Sequence, residues 1–147
     1  MSPAATFQVS RTFYRGYELC YGSGLPSHGG HDNAIIPGIV CLAFSIELGL
    51  KSLLQAVGDS AHRHNLKDFF DRLSDVEKEE VICEAGIEDG SFHENLALIA
   101  DAFIKWRYIY EQPGFHSISE PFMSTLSQAV RAVAKPKIRV FMLNRPP

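Results

Sequence analysis

The sequence predicts an all-α protein, an up-and-down bundle of five or six helices. Three observations point there. Apolar residues recur at steps of three and four along most of the chain. Capping residues and helix-stopping glycines and prolines bracket those runs. No segment alternates apolar and polar as a half-buried strand does, and KIRVFML near the end is too short and isolated to make a sheet. With 147 residues, 46% of them hydrophobic and 11% aromatic, the chain suits one domain, 1–147, and is too apolar for a disordered one.

The first element is a helix holding Phe7, Phe13, Tyr14, Tyr17 and Tyr21. The loop GSGLPSHGGHDN from Gly22 to Asn33 follows, with His28, His31 and Asp32. It lacks the Gly-Lys-Ser/Thr ending of a phosphate-binding loop, and neither it nor His62 and His64 offers a full metal-ligand set. It reads as a solvent-exposed connection, and no metal or cofactor is expected. The next helix carries Ile35, Ile39, Leu42, Ile46, Leu50, Leu53 and Val57 on one face, with Asp32 or Asn33 as cap, Pro37 in the first turn and Gly58 as stop. Pro37, Glu47 and Lys51 make this stretch a buried helix rather than a membrane span.

Asn65 with Asp68 opens a short helix, and Ser74 with Glu77 opens another that Gly86 ends. A capping box of Ser91 and Glu94 starts a long helix on Phe92, Leu96, Ile99, Phe103, Trp106 and Tyr110, stopped by Pro113 and Gly114. The last helix starts at Ser117 or Ser119, with Pro121 in its first turn, and Pro136 closes it.

The net charge of −3 is unevenly spread. Residues 1–73 hold six basic and six acidic side chains, residues 74–111 three and ten, and residues 112–147 five and one. The acidic middle and the basic end, 131–147, can attract each other within the fold. The end also offers Arg131, Lys135, Lys137 and Arg139 as phosphate contacts. Three widely spaced cysteines, Cys20, Cys41 and Cys83, with no basic-then-apolar start to the chain, fit a reduced, cytoplasmic protein with no membrane attachment.

Charges beside the apolar stripes form the candidate site. Glu47 and Lys51 are four apart on one long helix, and Arg107 and Glu111 are four apart on the other. Packed parallel, the two helices would set Glu47 against Arg107 and Lys51 against Glu111. His64, just before the Asn65 cap, meets the positive end of a helix dipole, which favours a neutral imidazole able to act as a base.

The strings AFSIELGLKSLLQAVG, HRHNLKDFFDRLS and AFIKWRYIYE, in that order, resemble the HEPN superfamily of small helical domains. The resemblance covers roughly residues 35 to 111. It carries over Glu47, Lys51, His64, Asn65, Leu66, Trp106, Arg107, Tyr108 and Glu111, which mark the fold and a polar centre. It implies a homodimeric bundle, association with RNA or a nucleotide, and a setting such as a toxin–antitoxin or defence system, with an antitoxin-like protein as partner. Ribonuclease members share an R-x(4–6)-H motif. None of the eight arginines here has a histidine five to seven positions on. The expectation is therefore a non-catalytic domain that binds nucleic acid, a nucleotide or a partner protein. The alternatives are a ribonuclease built on His64 and Arg107, and a structural subunit of a hetero-oligomer.

Overall fold

A computed structural model describes residues 1–22, 35–60, 64–111 and 118–144. The described residues form the expected all-α bundle: α1 (Pro3–Gly22), α2 (Ile35–Ala56), α3 (Leu66–Asp71), α4 (Asp75–Ala85), α5 (Asp89–Leu98), α6 (Ala102–Arg107) and α7 (Glu120–Leu143). A 3-10 turn, Ile109–Glu111, follows α6. The loop 23–33, His62, Arg63, Pro113, Gly114, His116, Ser117 and Arg145 lie outside the described residues.

The apolar stripe of α2 is the reason for its place at the centre. Ile39, Leu42, Ile46, Leu50 and Leu53 are buried, while Ile35 and Val57 at its ends are exposed. By length and composition α2 could cross a membrane, yet 61% of its most apolar window is packed against the rest of the protein. Long helices α1 and α7 flank it. Thr6 donates to Gln55 at 2.7 Å, and Gly16 lies beside Cys41, so α1 runs antiparallel to α2. Ser45 meets Ser127, and Gly49 meets Val130, so α7 runs parallel to α2. Tyr17 reaches back to donate to Glu120, and burial together with that carboxylate pushes its phenol up to about 12.

The three long helices meet at a line of buried hydroxyls that the sequence reading did not single out. Ser10 donates to the Ser45 carbonyl at 2.7 Å, and the Ser45 and Ser127 hydroxyls are 3.0 Å apart. All three serines are fully buried. Hydroxyls in such a place must be hydrogen-bonded, because an unpaired one costs about 1–3 kcal/mol. The ladder therefore holds the three helices in one register.

Two caps form as expected. Asn65 accepts from the Asp68 amide at 2.9 Å, and Ser74 with Glu77 makes a complete capping box, with Gly86 left-handed (φ 64°) at the far end. Two expectations are corrected. The long helix over 91–110 is broken at Ile99–Asp101 into α5 and α6, and it starts at Glu88, not at Ser91. The Glu88 carboxylate accepts from the Gly90 and Ser91 amides, which hold it below the usual carboxylate range. A charged acceptor at a helix N-terminus outbids a hydroxyl. The break frees the Ala100 carbonyl, which accepts from the Leu66 amide at 2.7 Å and satisfies an orphan donor of α3. The four-three stripe survives it, since Phe92, Leu96, Ile99 and Phe103 are all buried.

Pro136 does not close the last helix; α7 runs through it to Leu143. Val133, Ala134 and Ile138 are buried around it, and Lys137 reaches Glu80 of α4 at 2.7 Å, so tertiary anchors on both sides outweigh the lost amide. The segment KIRVFML is thus helical, and the basic end is a helix surface rather than a tail.

The approach of α2 to α7 depends on Gly49, where an added Cβ would stand 2.8 Å from Val130 Cγ1. Overpacking a core costs about 1–3 kcal/mol, against about 1 kcal/mol gained in helix propensity by alanine. Gly49→Ala should therefore lower the stability measured by urea unfolding by about 1 kcal/mol, the reverse of the usual effect of that change in a helix.

Candidate functional site

Glu47 is the one acidic side chain of α2 and is wholly buried. A carboxylate out of water must be paired and hydrogen-bonded, since its desolvation costs several kcal/mol. Two partners provide this. Lys51, one turn along the same helix, donates to Oε1 at 2.7 Å. His64 Nδ1 lies 2.9 Å from Oε1 and 3.1 Å from Oε2. A carboxylate beside an ammonium accepts only, so Nδ1 carries a proton and donates it to Glu47, and Nε2 is the nitrogen left free of that contact.

Local structure explains why these groups meet. Positions 47 and 51 share a helix face by the four-residue spacing. His64 precedes the Asn65 cap of α3, whose Leu66, Phe69 and Phe70 are buried in the core, so the ring is held where α3 docks on α2. The Lys51 ammonium lies 5.1 Å from the Phe69 ring centre, and the side chain is only 16% exposed. It neutralises Glu47 and is committed to that task. The His64 side chain, by contrast, is 45% exposed.

The ring of His64 tilts against Phe103 of α6 at 5.2 Å, and Phe103 stacks in turn on Phe44 of α2 at 4.8 Å. Arg107, one turn past Phe103, lies over the same ring at 5.8 Å and over Tyr108 at 5.3 Å. The structure therefore brings Glu47, Lys51 and His64 into direct contact, and places Arg107 and Tyr108 beside them by way of Phe103. The expected ion pairs of Glu47 with Arg107 and of Lys51 with Glu111 are not formed. His64 takes the place foreseen for Arg107, because α6 is a separate short helix and no longer continues the line of α5. Among the described residues Arg107 has no ion pair, Glu111 is exposed in the 3-10 turn, and Asn65 serves as a cap. No group of three or more metal-ligating side chains occurs among the described residues.

The arrangement offers a buried carboxylate that orients an imidazole, and an exposed guanidinium against the same aromatic ring as that imidazole. A guanidinium can donate to a negatively charged group, and an imidazole protonated on both nitrogens can do so at Nε2. The imidazole can also accept a proton at Nε2.

The four expected phosphate contacts behave differently from one another. Lys137 pairs with Glu80 and approaches Glu77 at 3.8 Å, so the acidic middle and the basic end do meet inside the fold. Arg131 is half-buried, with its guanidinium 3.6 Å from the Tyr14 ring centre and its Nε donating to the Ser127 carbonyl at 3.2 Å. Burial pulls its pKa below the usual arginine value. Lys135 and Arg139 are exposed.

The chain matches no family model, no curated protein and no solved structure in the comparisons made with each.

The Glu47–Lys51 pair makes a double-mutant test direct. Glu47→Ala leaves the Lys51 charge half-buried without its partner and should cost about 3–5 kcal/mol of unfolding free energy. Glu47→Met combined with Lys51→Met removes both charges, and should recover most of that loss in the same urea titration.

Proposed function

We propose that this chain is a HEPN-like helical module without catalytic activity that binds nucleic acid or nucleotide through a phosphate group. The observation that carries the reading is that His64 and Arg107 both lie against the ring of Phe103, which we take as the corner of a phosphate site. His64 is fixed through Nδ1 by a buried carboxylate, its outer nitrogen is without a protein partner among the described residues, and Arg107 lies on the same Phe103 ring. Lys51 cancels the charge of Glu47, so the corner presents a guanidinium and an imidazole with no competing anion in contact among the described residues. A phosphate accepts from the guanidinium, and from His64 when the ring carries a proton on Nε2 as well as on Nδ1; such charge-assisted bonds are about twice as strong as neutral ones.

Binding is favoured over cleavage because Nε2 of His64 has no second acid or base within hydrogen-bonding distance among the described residues. The absence of the R-x(4–6)-H spacing agrees with this. The Glu47–His64 contact nonetheless favours one second reading, a ribonuclease with an unorthodox site. There His64 Nε2 would take the proton of a ribose 2′-hydroxyl while its oxygen attacks the adjacent phosphorus. The bond to the 5′-oxygen would break to leave a cyclic phosphate, with water supplying the proton to the leaving oxygen. Arg107 would neutralise the phosphate.

Calorimetry with ribonucleoside 5′-monophosphates tests the first reading. Arg107→Ala and His64→Ala should each weaken binding by about tenfold or more, the value of one charge-assisted hydrogen bond. Unchanged affinity in both variants would overturn it. Incubation of the purified protein with single-stranded RNA decides the second: intact RNA supports a binding module, whereas cleavage that His64→Ala abolishes supports the nuclease.

The homodimer implied by the resemblance belongs to this proposal. Val140, Met142 and Leu143 are exposed at the end of α7, beside an apolar groove of about 700 Å3 between α2, α4 and α7, and this supports closure against a second copy. Light scattering should give twice the chain mass, 16.4 kDa, at micromolar protein; a monomer at all concentrations removes the dimer.

A further inference from the structure

We propose that the cleft between α1 and α7 is a separate binding track for a single nucleic-acid strand, held by its phosphates. The cleft has a volume of about 830 Å3 and is lined by Gln8, Arg11, Arg15, Gln128 and Arg131 among others. It continues into a recess of about 310 Å3 that shares Arg11, Gln128 and Arg131 and adds Lys135. None of these residues belongs to the His64 corner, and none of the α1 residues was marked by the charge pattern of the chain, since residues 1–73 are balanced.

The cations are arranged as a row rather than a point. Arg11 and Arg15 are four apart on α1, and Arg131, Lys135 and Arg139 are spaced by fours on α7. Each step is one helical turn, about 6 Å. A site for one free phosphate gathers its donors around a single position; a row at regular spacing fits a chain of repeated anions. Among the described residues no carboxylate lies within 4 Å of Arg11, Arg131 or Lys135. The one acid lining the cleft, Glu18, pairs with Arg15 at 3.0 Å, which marks that end of the row.

Arg131 is the fixed member. The Tyr14 ring beneath its guanidinium and the Ser127 carbonyl on its Nε hold the planar group in place, so little side-chain freedom is left to lose on binding. Gln8 and Gln128 add neutral amides suited to sugar and phosphate oxygens. Lys137, foreseen as a phosphate contact, is excluded because Glu80 holds it on the α4 side of α7.

The test is fluorescence anisotropy of the full chain with a labelled single-stranded oligonucleotide, its duplex, and anionic vesicles of phosphatidylserine and phosphatidylcholine. Four phosphate contacts on a single strand give a log–log salt slope of about −2.8, hence about a 50-fold loss of affinity between 50 and 200 mM salt. Arg11→Glu with Lys135→Glu should weaken strand binding by about tenfold or more and reduce that slope by about half or more. Arg11→Gln with Lys135→Gln, which only removes charge, should give a smaller loss in the same direction. Thermal melts verify that the variants fold, and mononucleotide affinity, which reads the His64 corner, should stay as in the parent protein. Equal strand affinity in parent and both variants would overturn the track, as would duplex preferred over strand, or binding to vesicles alone.

Discussion

The buried carboxylate of Glu47 is the constraint on which this structure turns. A charge with no solvent exposure at the centre of an apolar helix is tolerated only while its partners stay in place. One partner, Lys51, is supplied by α2 itself; the other, His64, is supplied from outside, by the residue before the α3 cap. The demand of one carboxylate therefore ties the start of α3 to the middle of α2. It also fixes which nitrogen of His64 faces the protein and which is free. The same contact sets the ring on Phe103, and so relates α6 and its Arg107 to the rest. Hydrophobic burial brings these helices together without direction. The carboxylate chooses the orientation in which they are left.

A second polar constraint acts on another side of α2. Ser45 is two residues before Glu47, roughly 200° around the helix at 3.6 residues per turn. It meets Ser10 of α1 and Ser127 of α7 there, while Gly49 lets Val130 approach. The central helix is thus divided: one side receives α1 and α7 through small hydroxyl residues, the other receives the start of α3 through charge and α6 through the stack of Phe103 on Phe44. The cationic cleft belongs to the first pair of helices and the His64 corner to the second. Two anion-binding surfaces can coexist on a small bundle because α2 separates them and shares no cation with the cleft.

Much of this was legible in the sequence because it depends on short-range spacing. The stripe from Ile39 to Leu53, the Asn65 and Ser74 caps and the Gly86 stop are all local, and all form. Glu47, Lys51 and His64 were recognisable as a polar group, since charges next to an apolar stripe must find partners. Which partner each would take was not legible. Arg107 was set against Glu47 on the assumption of an unbroken helix, and neither the break at Ile99–Asp101 nor the tertiary bond from Leu66 that the freed Ala100 carbonyl accepts is announced by a local pattern. Pro136 misled for the same reason: its local effect is to stop a helix, and the ion pair of Lys137 with Glu80 and the burial of Ile138 carry the helix past it. The serine ladder carried no signal, because buried and exposed serines look alike until their partners are known.

The charge distribution shows how far one-dimensional counting can go. The acidic middle and basic end do attract, among the described residues through Lys137 and α4, and that pairing takes up the lysine that counting would have assigned to a ligand. What remains exposed on α7 is Lys135 and Arg139, with Arg131 fixed below them, and these are a small charge by themselves. They become a row only because α1 runs antiparallel beside α7 and contributes Arg11 and Arg15 from a segment whose net charge is zero. Electrostatic character here is a property of a helix pair: Glu18, the one acid lining the cleft, is taken by Arg15 on its own helix, and among the described residues Arg11 has no acid within 4 Å. A segment neutral in sequence can therefore present a cationic face, provided that its acids are paired elsewhere.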